Sequence, residues 1–370
     1  MNKKNIAKLL SILLIIGLLL PTVGFAKEVD EEFKTFTLEE LVQRGIERNP
    51  SIKSAEFTIE GVDITRDRAN LNLDAIPTPQ FFMSPMPMIV YKQAVTLDRT
   101  YDKARDNLQI KIDSTQYDII KKYQSVLNAK ENLALAKRDL EYKKSLMDIA
   151  VLKKNMGLIS DIEHNGGIQT YNIAKRTFEL KNNELNKAYS VLNSSVGFSD
   201  DYRFNLEVSN FADIEKDLED IDLQRLISSG RDGLIVRILE SDLALTQFKY
   251  DFYVFNDPTE PRPLDAIGET VKAEKASLAA TKDNLSESIR TLFINAQDLQ
   301  KKYKDLLTKD EIDRKMHEIK TIQLDLGMIT KIEFVESENK LIENEVNLIA
   351  LRNGFNELIF MLNYPHVASK

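Results

Sequence analysis

Histidines, cysteines and clustered carboxylates build most catalytic and metal sites, and this sequence offers them in no working arrangement. Its three histidines, His164, His317 and His366, lie far apart, with none at the i, i+4 spacing of a helical metal site. There are no cysteines, so thiolate nucleophiles, disulfides, cysteine-ligated metals and a lipid-modified N-terminal cysteine are all excluded. Carboxylates are numerous, but they fall at exposed heptad positions, where solvation and pairing with lysine account for them. The sequence therefore predicts no enzyme, no cofactor and no metal site. A net charge of -8 gives no reason to expect a nucleic-acid partner.

The residues that do stand out are turn formers set between long apolar repeats. In the stretch from Asn155 to Asp161, Gly157 is placed to end one helix and Ser160 or Asp161 to cap the next. Gly166 and Gly167 weaken the start of the returning helix. A second turn reads Leu326, Gly327, Met328, Ile329, Thr330.

The elements that carry these turns are visible in the apolar period. From Tyr101 to Met156 there is no proline or glycine, and apolar residues recur every seven positions at Ile112, Ile119, Val126, Leu133, Leu140 and Met147. This predicts a coiled-coil helix, with the stripe resuming after the turn at Tyr171, Phe178, Leu185 and Leu192. Leu278, Leu285, Leu292, Leu299 and Leu306, then Phe334, Leu341, Leu348, Phe355 and Leu362, repeat the plan. Moving Tyr171, Phe178, Leu185, Leu192 and Gly157 along the chain by 170 lands on Leu341, Leu348, Phe355, Leu362 and Gly327. Turn and stripe share one register, which signals an internal duplication. Leu38, Leu41 and Gly45 match Leu223, Leu226 and Gly230 with a larger offset, so the first repeat carries extra residues between its leading helix and its hairpin.

Prolines gather in two segments upstream of the hairpins. Pro77, Pro79, Pro85 and Pro87 fall in 74–99, and Pro258, Pro261 and Pro263 in 258–269. Both read as extended or turn-like crossings, with strand-like runs only at Gln80–Phe82 and Met88–Tyr91. The apolar residues Phe81, Phe82, Met83, Met86, Met88, Ile89 and Val90 cap the hairpin core at one end, dip into a membrane or dock on a partner. A membrane-crossing strand takes roughly 9–11 residues, so these segments are too short for pairs of them. At the start of the chain Lys3, Lys4 and Lys8 precede the apolar run Leu9–Leu20, then Pro21, Gly24 and Ala26. This is the pattern of a secretory signal peptide over 1–26.

The opening Thr37-Leu38-Glu39-Glu40-Leu41, with Asn49, Pro50, Ser51, Ile52 and Ala55, resembles that of TolC-type outer membrane efflux proteins. Met156 to Ile162 and Leu326 to Thr330 are similar to that family's two hairpin tips. The resemblance implies an all-α protomer of a TolC-like α-barrel, with duplicated long antiparallel coiled-coil hairpins and little or no β. It divides the chain into a first repeat over 27–197 with its tip at 155–162, a connector over 198–222, and a second repeat over 223–365 with its tip at 325–331. It further implies a homotrimer with a twelve-helix tunnel, a periplasmic adaptor (membrane fusion) protein, an inner-membrane transporter, and two barrel strands per repeat in the outer membrane. The adaptor-contacting positions it assigns are Gly157, Leu158, Ser160 and Asp161 with Gly327, Met328 and Thr330. Lys331 stands where the first tip has Asp161. The expected function is an efflux or export duct of the cell envelope; the short crossings leave open a non-conducting envelope scaffold or sheath without a membrane barrel, at the outer membrane or elsewhere outside the cytoplasm.

Overall fold

The long apolar period becomes long helix. In the computed structural model the described residues are 34–76, 85–207, 214, 218, 221–255, 257–258 and 260–368; the expected signal peptide over 1–26 and the expected strand-like run Gln80–Phe82 lie outside them. The elements are β1 (Thr35–Phe36), α1 (Leu38–Arg48), α2 (Pro50–Asp74), α3 (Pro85–Asn155), α4 (Asp161–Val196), β2 (Asn205–Leu206), α5 (Leu223–Arg231), α6 (Leu234–Asp251), α7 (Leu264–Asp325), α8 (Lys331–Asn363) and α9 (Pro365–Ala368). Helix α3 alone has 71 residues, about 105 Å at 1.5 Å per residue.

Helices α3 and α4 form one antiparallel hairpin and α7 and α8 the other, while α2 lies along α3 and α6 along α7. The hairpins lie side by side through α3 and α8. Fold class agrees with expectation: the described residues are helical with almost no strand. The two-residue strands pair in parallel, Thr35 with Asn205 and Phe36 with Leu206, and bring the connector back beside the first repeat.

One expectation is corrected. Residues 85–99 and 264–269 are helical, not extended, and Met88–Tyr91 lies inside α3 rather than in a strand. Pro85 and Pro87 fall in the first turn of α3, where backbone N–H groups have no intrahelical acceptor to lose. In the second segment Pro258, Pro261 and Pro263 do keep the chain out of helix until Leu264.

Two apolar cores, one per repeat, sit where the short leading helices cross the long ones. In the first, Leu38, Leu41, Ile119, Ile120, Tyr123, Val126, Leu192 and Val196 pack with Phe36 and Phe204. In the second, Ile227, Ile289, Leu292, Ala296, Phe355 and Leu362 pack together. The two leading helices meet their long helices in the same way. A Cβ at Gly45 would lie 2.1 Å from Ile119 Cδ1, and one at Gly230 would lie 2.4 Å from Ile289 Cδ1. The glycines match by the offset of the leading helices and the isoleucines by that of the hairpins. Each leading helix is thus let down onto its long helix by a missing side chain.

The first core is tied to the connector by polar caps. Tyr189 Oη donates to the Phe204 carbonyl at 2.7 Å, and Tyr123 Oη donates to the Glu207 carbonyl. Asn193, fully buried, donates to the carbonyls of Ser199 and Tyr202, each at 2.9 Å.

The glycine contact yields a test. Gly45→Leu overpacks the first core and should lower unfolding stability by about 1–3 kcal/mol; adding Ile119→Ala should recover part of the loss. Chemical denaturation of the single and double variants measures both.

Candidate functional site: the hairpin tips

Each tip must reverse a helix within a few residues in water, and both do so with the same devices. Gly157 and Gly327 take the left-handed conformation, with φ of 74° and 68°, where a side chain would be strained. Around the first, the Leu158 N–H donates to the Lys153 carbonyl at 2.8 Å and the Gly157 N–H to that of Lys154 at 2.9 Å; around the second, Met328 donates to Gln323 at 2.8 Å and Gly327 to Leu324 at 2.9 Å. These are Schellman closures, which satisfy carbonyls the ending helix would leave open.

The returning helices begin with capping boxes. The Glu163 N–H donates to Ser160 Oγ at 3.2 Å, while the Ser160 N–H donates to the Glu163 carboxylate at 2.8 Å. Glu333 and Thr330 do the same at 3.3 and 2.8 Å. The backbone hydrogen bonds from Ser160 and Thr330 hold both carboxyls below the usual glutamate range. The S-x-x-E and T-x-x-E spacing of these boxes was legible in the sequence, yet Glu163 and Glu333 were not among the expected site residues.

Of the expected contact positions, Gly157, Leu158, Ser160 and Asp161 share the first turn, and Gly327, Met328 and Thr330 share the second. Both turns stand at the same end of the hairpin pair, since Ile149 near the end of α3 and Ile332 at the start of α8 line one groove of about 530 Å³ with Tyr142, Ser145 and Val335. Leu158 and Met328 are 67% and 69% exposed, and Met156, Ile162 and Leu326 are exposed beside them. Water is a poor neighbour for such side chains. The tips differ in charge. Asp161 pairs with Lys154 at 2.5 Å, which lowers its carboxyl pKa; the matching positions in the second tip are Leu324 and Lys331.

Between the hairpins the seam turns polar. Tyr117 of α3 stacks on Phe360 of α8 with centroids 5.8 Å apart, and Asn353 donates to Asn128 at 2.7 Å. Gln124 and Asn356 are almost wholly buried, and both side-chain amides lack a hydrogen-bond partner among the described residues. An unsatisfied buried polar group costs roughly 1–3 kcal/mol, so this stretch of the seam is the weaker part of an apolar structure. Sequence inspection missed these residues because they lie beside the heptad stripe, not on it. Among the described residues no group of three or more histidines, aspartates or glutamates could hold a metal ion, and no helix is long and apolar enough to cross a membrane.

No protein-family model matches the chain, and no curated protein matches it. Solved structures do. The outer-membrane channel OprN matches with a TM-score of 0.64 at 12% identity, covering 90% of each chain. The CmeC outer membrane channel of Campylobacter jejuni matches at 0.63 and 11% identity, over 89% of this chain and 85% of that one. CusC, described for its folding and transmembrane channel formation, matches at 0.66 and 10%, over 91% of this chain and 93% of that one. The chain has the fold of TolC-type outer membrane channels, and these neighbours are channel proteins.

The buried seam makes a pH prediction. Burial raises the pKa of Glu357 against the opposing pull of Lys121. A carboxyl with a raised folded pKa binds protons more readily folded than unfolded, so its burden on stability is greatest above the folded value and is relieved as pH falls through it. Glu357→Gln should therefore raise the melting temperature near pH 7 and lose that advantage toward about pH 4. Melting curves across that range measure it.

Proposed function

We propose that this protein is the duct component of an efflux or export machine in the cell envelope. In this reading three copies close into a tunnel, and the tips seat on a periplasmic adaptor that joins the duct to an inner-membrane transporter. The residues 1–26 direct export. The adaptor-contacting residues are Gly157, Leu158, Ser160 and Asp161 with Gly327, Met328 and Thr330; the glycines and capping boxes set the turn shape, and Leu158 and Met328 supply apolar contact.

The observation that carries the reading is a set of apolar stripes that one copy leaves uncovered. Phe57, Ile64 and Leu71 on α2 are exposed with a spacing of seven, and so are Ile312 and Ile319 on α7, with Leu326 at the turn that ends it continuing the spacing. A seven-residue apolar stripe is a seam for another helix, and stripes this extended are costly to leave in water. Side-by-side copies cover them, and the four hairpin helices of each of three copies make a twelve-helix wall.

The second reading, a non-conducting sheath or scaffold, is favoured by chain length at the far end. Only residues 75–84 separate α2 from α3, and only 252–263 separate α6 from α7. A bilayer-crossing strand takes about 9–11 residues by itself, so neither link has room for two strands and a turn. A duct built from this chain therefore ends without the transmembrane barrel that the family resemblance implies.

Two pairs of substitutions separate the roles. Phe57→Asp with Ile64→Asp should reduce the light-scattering mass to one copy while leaving the circular dichroism helical; an unchanged mass would sink the stripe assignment. Leu158→Asp with Met328→Asp should keep the wild-type mass but abolish export in a strain that depends on this gene. Assembly with undiminished export would remove the tips from the mechanism, and a deletion strain with normal export would favour the sheath.

A further inference from the structure

Where α1 crosses α3 and α8, a groove of about 550 Å³ runs between the three helices. It is lined by Leu38, Val42 and Ile46 of α1, Ile120 of α3, and Ile359 and Phe360 of α8. Spaced by four, the α1 residues share one helix face. Leu38 and Ile120 are buried, and Val42, Ile46, Ile359 and Phe360 are half-buried. A volume of this size with largely apolar walls and a few placed polar groups is what small-molecule sites have in common.

Three polar features define what would fill it. Asn356 lines the groove at 4% exposure, and neither its amide oxygen nor its amide nitrogen has a partner among the described residues. A buried amide left this way is costly, and a ligand that hydrogen-bonds to it recovers the cost. Phe360 lies against Tyr364 with centroids 4.7 Å apart, and both rings line the groove; the face of an aromatic ring attracts a cation. The one charged residue in the lining is Glu39, and lysine, arginine and histidine are absent from it. Grooves of similar size elsewhere do carry cations, Lys103 and Lys111 between α2 and α3, and Arg138 and Lys331 near the tips.

We propose that this groove binds a small cationic amphiphile. Its flat apolar body lies along the α1 face and the rings of Phe360 and Tyr364, an N–H group donates to Asn356 Oδ1, and its positive charge is directed toward Glu39. The carboxylate and the ring faces select a cation over an anion, and the volume selects a small molecule over a helix or a strand. A second copy is not the occupant in the assembly proposed above, because the uncovered stripes lie on α2 and α7, which contribute no residue to the groove. The inference goes beyond the duct reading and does not rest on it, since all the lining residues belong to one chain.

Ethidium serves as the probe, being a planar aromatic cation with amino N–H donors whose emission rises when it leaves water. The full chain is titrated into ethidium, alone and with the anion 1-anilinonaphthalene-8-sulfonate as competitor. The expected result is a saturable rise at one ethidium per chain that the anion does not displace. Glu39→Gln, which removes an exposed charge, should weaken binding by up to about fivefold, and Asn356→Leu, which removes a buried hydrogen bond, by up to about tenfold. Asn356→Leu should also raise the melting temperature of the ligand-free protein, because it replaces an unsatisfied amide with an apolar side chain. Four results overturn the proposal: no saturable rise, displacement by the anion, wild-type affinity in both variants as adsorption to the exposed stripes would give, or a lower melting temperature for Asn356→Leu, which would mean that the amide is already satisfied within the protein. Neither export nor copy number is read, so failure here leaves the duct reading standing, and failure there leaves this one.

Discussion

A helix of 71 residues with an apolar side chain every seven cannot bury that stripe against itself. It must find partner helices along its whole length, and this requirement organises the molecule. The antiparallel hairpin satisfies part of it, pairing α3 with α4 and α7 with α8. The contact of α3 with α8 satisfies more. What one chain leaves uncovered, on α2 and α7, is what the proposed assembly would bury. The tips follow from the same constraint: an antiparallel pair has to turn round in water, and the sharp turn is made by a left-handed glycine, a Schellman closure and a capping box used twice.

Much of this was legible because duplication leaves a register. The common offset of Gly157 and Gly327 with the heptad stripes located both hairpins and their turns, and glycine was recognisable there because few other residues adopt a positive φ cheaply. Gly45 and Gly230 matched as sequence positions, but their role was not visible: only the fold brings Ile119 and Ile289 onto them. The prolines misled at 85–99. Proline reads as a helix breaker unless its position within the helix is known, and Pro85 and Pro87 sit in a first turn. Gln124, Asn128, Asn353 and Asn356 gave no signal, since a polar residue beside a stripe looks like any solvated one until two hairpins meet there. The pairing of Thr35–Phe36 with Asn205–Leu206 joins segments too short and too distant in sequence to be anticipated.

The two ends of the molecule solve different problems. At the tips, charge is held locally, with Asp161 tied to Lys154 and Glu163 and Glu333 closing their capping boxes, and apolar groups stand outward on the turns. At the other end, the buried Lys92–Asp257 ion pair braces a proline-stiffened link. Between them the polar stretch of the α3–α8 seam, with Gln124 and Asn356 unsatisfied and Glu357 half-buried, contrasts with the apolar cores on either side. The contact between the hairpins is therefore less well satisfied than either core.

The central claim is that the uncovered stripes are seams between copies. End-on single-particle electron micrographs of the assembled protein test it most directly. The account predicts a closed ring of twelve helices around an open lumen, three repeats of one four-helix unit. Single chains, or copies joined without enclosing a lumen, would contradict it.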